Sequence, residues 1–412
     1  MLLSLSSQNV IQYLQAAGLC SLENGITDKS ELPRSSKKNF NLRVKLGNNQ
    51  QLLVQQEHRF EDEGNPHEFF NEWLFQQLLR QFPVLGNIAA IASLVVHYDA
   101  ENSILVRNYL SDYLELQSFY QKNDIFPTEI ATAIGKTIAS LHRATFQRRE
   151  YRDFMSTAPE GQFRYSFYNP AQGIDTLTPE IFGAVPKEAL QFYTYYQRYE
   201  CLESAIADLA YEWKPCCLTH NDLTLSNILL HSRWDKLDNC LVKLIDWEAC
   251  AWGDPTFDLG TLIASYLKIW LSSLVVDPML DLEESLQLAV TPLEVIQPSL
   301  LALIRAYLNE FPAILEHRQD FLARVIQFAG LGLIHQLQAK IKFQQHFDNA
   351  DMSALHLAQN LLTMPEKSIH TVFGVSQLEI VALLAEKHQL AQPQKEQKLV
   401  RLYYEKTRLR GC

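Results

Sequence analysis

Between His220 and Asp258 the chain concentrates groups that could do chemistry: His220-Asn221-Asp222, then Asn227, Asp246, Asp254 and Asp258. Asp222 and Asn227 stand five apart across a loop and can face one cleft. Asp246 follows an apolar run, Leu241, Val242, Leu244 and Ile245, which reads as a strand delivering a carboxylate from the neighbouring hairpin. Two carboxylates and an amide oxygen form a hard-oxygen donor set that suits a divalent cation such as Mg²⁺. Phosphoryl transfer needs such a set. It asks for a carboxylate to orient an attacking hydroxyl and for oxygen ligands on the ion that bridges the nucleotide phosphates. Each motif alone is a weak signal, because a lone buried Asp or His is more often structural.

Other segments must position these residues. Asn41–Leu46 and Gln51–Gln56 read as two strands joined by a turn at Gly47-Asn48-Asn49. A helix is expected from about His67 to Arg80, then strands at Ile88–His97 and Ser103–Asn108. Thr128–Arg143 carries Ile130, Ile134, Ile138 and Leu141 on one face of a helix. Tyr151–Pro186 reads as loop-rich, and Lys187–Trp213 as one helix. After Gly260 the chain reads as helical, with a polar connector at Gln392–Gln397. The order implies an α+β fold of two lobes, a small β-rich one and a large helical one, with a cleft between them.

The 412 residues exceed a single core, which implies two or three domains or lobes. The divisions expected are 1–108, an N-terminal lobe with a sheet and one helix; 109–270, a catalytic core after a hinge; and 271–412, a helical substrate-binding region. A net charge of −11 argues against a phosphate-backbone binder, so no nucleic-acid partner is expected. Seven cysteines without CxxC or Cys/His spacing read as free thiols of a reducing cytosol. The first residues lack a basic n-region, and the apolar stretch Leu259–Val276 is interrupted by Lys268 and several Ser. A cytoplasmic protein without a membrane partner is therefore expected.

The segment His220-Asn-Asp-Leu-Thr-Leu-Ser-Asn227, followed by Ile245-Asp-Trp247 and by Gly253-Asp-Pro with Phe257-Asp-Leu259, resembles the catalytic core of the aminoglycoside-phosphotransferase and choline-kinase family, whose fold is protein-kinase-like. The resemblance covers about residues 30–265. It implies that Asp222 is the catalytic base, that Asn227 and Asp246 bind Mg²⁺, and that His220 and Asp258 brace the loop. It also implies that Ser35 and Ser36 stand in the phosphate loop and that the backbone of Arg107, Asn108, Tyr109 and Leu110 forms the hinge against adenine. Ile134–Arg143 resembles the family helix that carries a Leu-His pair. ATP and Mg²⁺ are the implied cofactors.

Two positions depart from the family pattern. Such kinases place a Lys on the third strand, where it holds the nucleotide phosphates and pairs with a helix Glu. Here Gln55 takes that place, and its helix partner Glu72 remains. The phosphate loop has no glycine, so Lys37, Lys38, Arg43 or Lys45 would have to supply charge. On this reading Gln55→Lys should raise nucleotide affinity. Three functions fit the residues: ATP-dependent phosphorylation of a small-molecule hydroxyl (aminoglycoside- or choline-like), Ser/Thr phosphorylation of a ribosomal peptide as in lanthipeptide-like maturation, and a pseudokinase that binds without turnover. Asp222, Asn227 and Asp246 together favour an active enzyme, because clustered acids are costly unless a metal neutralises them.

Overall fold

The computed structural model describes residues 3–20, 26–31, 39–47, 50–57, 68–157, 169–171, 187–237, 242–274, 288–344 and 346–382. Lys37 and Lys38, the turn residues Asn48 and Asn49, most of the 151–186 loop, Cys240, Glu283, Glu284, the 392–397 connector and Cys412 lie outside the described residues.

Helix α1 (Val10–Ala16) and strands β1 (Ile26–Glu31), β2 (Asn39–Leu46) and β3 (Gln51–Glu57) open the small lobe. Helix α2 (Glu68–Gln81), the short α3 (Gly86–Ile91), β4 (Val95–Asp99) and β5 (Ile104–Asn108) complete it. The strands form one antiparallel sheet in the order β1-β2-β3-β5-β4. Period-two alternation divides its faces. Leu42, Val44, Leu46, Leu52, Val54, Ile104 and Val106 are buried on one face beneath Val10 and Leu14 of α1. Each fully buried side chain of this kind contributes about 1.5–3 kcal/mol. The opposite face carries Leu53, Gln55, Leu105 and Arg107. Leu105 packs there with Phe69 of α2, and the rest turn to the cleft.

The large lobe contains a three-stranded sheet of β6 (Tyr113–Glu115), β8 (Ile228–His231) and β9 (Val242–Leu244), and a two-stranded pair of β7 (Cys217–Thr219) with β10 (Ala251–Gly253). Helices α4 (Leu116–Asn123), α5 (Thr128–Thr145) and α6 (Arg149–Met155) precede β7, as do α7 (Lys187–Arg198) and α8 (Glu200–Tyr211). After β10 come α9 (Pro255–Ser272), α10 (Leu293–Glu310), α11 (Ala313–His317), α12 (Phe321–Gln344), α13 (Asn349–Thr363) and α14 (Pro365–Phe373). Small residues let these helices approach. A Cβ at Gly135 would stand 2.3 Å from the Leu303 carbonyl oxygen, and one at Gly260 would stand 2.5 Å from the Phe328 Cβ. The fold is the α+β, two-lobed kinase-like arrangement expected. Among the described residues, no helix is long and apolar enough to cross a membrane. The five described cysteines are free, and Cys216, Cys217 and Cys250 are buried.

Three elements differ from the sequence reading. Ile88–His97 is not one strand: α3 occupies Gly86–Ile91, and only Val95–Asp99 extends. The Ala-rich run favours a helical turn, and Ile88 anchors it in the large core. Lys187–Trp213 is two helices divided at Tyr199, whose φ of −95° and ψ of 75° leave helical geometry. The break turns Leu202, Ile206 and Leu209 into the core. Strand β1 extends the sheet where a polar stretch offered no alternation to read.

Candidate active site

The loop after β7 is built around one carboxylate. Asp258, fully buried in the first turn of α9, accepts the backbone N–H of His220 (2.7 Å) and of Asn221 (2.8 Å). It also accepts from the Nε2 of His142 in α5 (3.1 Å), whose Nδ1 lies 3.0 Å from the Tyr307 hydroxyl of α10. Asn221 is thereby held at a φ of +62°, in the left-handed region that Asn tolerates better than most residues. Its side chain donates to the Ala249 carbonyl (3.0 Å) and accepts from the Thr219 hydroxyl (2.8 Å). His220 donates from Nε2 to the Ile245 carbonyl (2.8 Å) and packs at a tilt against Trp247, with ring centroids 4.7 Å apart. One buried acid therefore fixes the backbone direction of the loop, and one His ties that loop to the strand that delivers Asp246.

From this frame Asp222 projects, exposed to the cavity, while Asn227 is buried. The Asn227 Nδ2 donates to both the Asp222 carbonyl (2.7 Å) and its Oδ2 (3.0 Å). That orientation leaves the amide oxygen as the metal-type donor. The Ile245 N–H donates to the Asn227 carbonyl (3.1 Å), which sets Asp246 one residue beyond a point locked to Asn227. Asp246 has a φ of +64°, a strained geometry for a residue other than Gly. The loop after it is packed by Trp247, stacked on Phe75 of α2 at 4.1 Å, and by the Asn71 amide, which donates to the Glu248 carbonyl (3.1 Å). Among the described residues no three His, Cys, Asp or Glu side chains converge as a metal cluster. The candidate Mg²⁺ donors, Asn227 and Asp246, line one cavity of about 1460 Å³ together with Asp222. Their oxygen chemistry fits that ion.

The opposite wall is the inner face of the first sheet. Gln55 is buried, and its Nε2 donates to Asn41 on β2 (2.8 Å). Glu72, which the sequence left without a cationic partner, has one. Arg107 Nη2 lies 3.1 Å from Glu72 Oε2 and 3.3 Å from Asp246 Oδ1. Both Arg107 and Glu72 are buried. Burial pushes the Glu72 carboxyl up to about 7, helped by the Asp246 charge and opposed by Arg107. Burial works against the Arg107 charge, but Glu72 and Asp246 outweigh it and hold its pKa up.

Arg107 thus lies within β5 and points into the cleft; it is not hinge backbone. The Asn108 N–H donates to Leu94 (3.2 Å) and the Tyr109 N–H to Gln51 (2.8 Å), so the sheet already uses both. Of these hinge residues, Leu110 alone keeps an N–H without a protein partner among the described residues. Arg43 sits over the Tyr109 ring at 5.3 Å, and Lys45 pairs with Gln51 in the register. Ser35 and Ser36 lie outside the described residues.

The far end of the cavity was not legible in the sequence. Phe257 and Thr261 of α9 and Gly332, His335 and Gln336 of α12 line it, brought together by helix packing. Burial lowers the His335 pKa to about 4, and the Pro170 carbonyl only partly opposes this, so the ring is neutral at pH 7. The Gln336 Oε1 is buried without a partner among the described residues. Sequence reasoning also missed Arg318, whose guanidinium is buried against Asp254 and donates to the Glu212 carbonyl (2.9 Å). Asp254 in turn caps α9 by accepting the Thr256 N–H (3.1 Å).

The model of a family described as "Phosphotransferase enzyme family" matches residues 35–288, more than half of the chain. No curated protein matches the sequence. Among solved structures, the chain is similar to choline kinase LicA from Streptococcus pneumoniae, with 16% identity and a TM-score of 0.47, covering 87% of this chain and 99% of that one. A choline/ethanolamine kinase family protein from Mesorhizobium loti gives 14% identity and a TM-score of 0.47, covering 89% and 99%. A putative fructosamine-3-kinase from Thermobifida fusca gives 15% identity and a TM-score of 0.46, covering 82% and 95%.

Proposed function

The chain belongs to the phosphotransferase enzyme family, and from that premise we propose that it transfers the γ-phosphoryl group of ATP to a hydroxyl of a small molecule. The observation that carries this reading is that Asp222, Asn227 and Asp246 line one cavity with Arg107 across from them. Asp222 is exposed to that cavity and orients the acceptor hydroxyl, taking its proton as the new O–P bond forms and the bond to the leaving ADP oxygen breaks. Asn227, by donating to Asp222, fixes the carboxylate and keeps its own amide oxygen for the ion. Asp246 supplies the second oxygen ligand. Bound Mg²⁺ would neutralise phosphate charge as it develops. His220 and Asp258 act through the backbone, holding Asp222 at its place.

Adenine fits the end lined by Leu53, Leu110, Leu229 and Ile245, with the Leu110 N–H as its donor. At the acceptor end, the groups contributed by α9 and α12 are neutral among the described residues. That supports an uncharged polyhydroxylated acceptor over a polycation. The test is a panel of uncharged sugars, amino alcohols, aminoglycosides and a Ser/Thr peptide, each incubated with ATP and Mg²⁺ and followed by ³¹P NMR. A phosphorylated product is expected, with Asp222→Asn slower by about 10²-fold or more. Equal turnover in both proteins would remove Asp222 from the chemistry, and product from the peptide alone would move the acceptor class.

A further inference from the structure

The cation that kinases draw from their third strand is absent at Gln55, yet the helix acid it would meet is buried and paired. We propose that Arg107 is the phosphate-holding cation of this site, supplied from β5 in place of a β3 lysine. The inference rests on the nucleotide-dependent reading above.

Three observations converge on it. The first is register. Leu53 pairs with Arg107 and Gln55 with Leu105, so residues 55 and 107 share one face and lie one diagonal step apart. A long side chain at either position reaches the same space above α2. The second is partnership. Through one Nη2, Arg107 meets Glu72 on α2 and Asp246, the candidate metal ligand of the other lobe. A residue that served only to neutralise Glu72 would have no need to span the cleft. The third is unused capacity. Arg carries five N–H donors, but only Nη2 donates here, and Nε is buried without a partner among the described residues. Donors therefore remain on Arg107 for a phosphate oxygen.

Gln55 shows the other side of the exchange. Its Nε2 is committed to Asn41 and its Oε1 is buried without a partner among the described residues, so it brings no charge to the cleft that it lines. Arg107 is a positioning and charge-supplying residue in this account, with no part in the proton transfer.

The test compares calorimetric binding of Mg²⁺–AMP-PNP and of adenosine to the full chain and its variants, with melting temperatures recorded alongside. Arg107→Gln should weaken AMP-PNP by about tenfold or more, the loss expected for hydrogen bonds to a charged group, and leave adenosine unchanged. Arg107→Lys should fall between the two. Gln55→Lys added to Arg107→Gln should recover most of the lost affinity, because it returns a cation one register step away. If Arg107→Gln fails to fold, Glu72→Gln with Arg107→Gln replaces the buried ion pair by a neutral one and is read in the same way. Equal weakening of AMP-PNP and adenosine, or failure of Gln55→Lys to restore binding, overturns the proposal and leaves Arg107 a structural partner of Glu72. A wild-type chain that binds neither ligand overturns the functional reading and this proposal together. Wild-type binding with Arg107→Gln unchanged overturns this proposal alone.

Discussion

On the loop wall of the cleft, Asp258 receives two successive backbone N–H groups and a buried His, and the conformation of His220–Asp222 depends on that single carboxylate. On the sheet wall, the charge near Glu72 depends only on which strand residues share a face, and Arg107 meets it from β5 while β3 offers Gln55. The difference lies in what each wall asks of the sequence. A backbone trajectory with a φ of +62° at Asn221 tolerates few spellings. A charge above a pleated face can come from any neighbouring strand in the right phase. The loop wall should therefore be brittle and the sheet wall tolerant.

The largest expected effect tests that brittleness. Asp258→Ala would leave two loop N–H groups and the His142 ring without their shared acceptor. It should destabilise the chain by about 3–5 kcal/mol in thermal melts and lower turnover with it. If it proves as mild as a surface change, the contrast between the walls fails. Gly253→Ala comes next, since its Cβ would stand 2.2 Å from the Thr219 Oγ1 that donates to Asn221. A loss of about 1–3 kcal/mol by denaturant titration is expected, as for other overpacked sites.

Smaller still, Gln55→Lys in the otherwise unchanged chain places a second cation beside Arg107 and removes the Gln55–Asn41 bond. The sequence alone led to an expected gain in nucleotide affinity. With Arg107 present, calorimetry should show a loss of about two- to threefold, in keeping with the cost of adjacent like charges. A clear gain would mean that the sheet wall is short of charge.

The smallest effect is a pH slope. Glu72 is raised from 4.5 to about 7, chiefly by burial. Between those values the folded chain keeps a proton that the unfolded chain has released, so stability falls as pH rises through the window. Glu72→Gln removes this contribution, and its melting temperature should gain on the wild type as pH rises from 5 to about 7. A constant difference would show that Arg107 keeps Glu72 ionised throughout.

Legibility in the sequence followed the same division. The His220–Asp258 segment could be read because its residues are local to one another and their order survives in the family pattern. Strands β2 and β3 and helix α5 could be read because their apolar periods are regular. Arg107 could not be assigned from local spacing: its partners Glu72 and Asp246 lie 35 and 139 positions away. A search of neighbouring strands for a cation in phase with Gln55 would have raised it. Tyr307 and Arg318 were hidden for the same reason, as were the partners of His142, whose Leu-His pair was read only as a resemblance, and the neutral far wall of the cavity, which exists only once α9 and α12 pack.

The Asp258 carboxylate also joins chain segments that are remote in sequence. Through His142 it reaches the Tyr307 hydroxyl, and its neighbour Asp254 reaches Arg318, so two residues beyond position 300 help to hold a loop that ends near 227. The stretch that carries every recognisable motif is consequently not self-sufficient. A fragment ending after α9 would retain the whole motif spelling while losing the residues of α10 and beyond that keep the loop in shape.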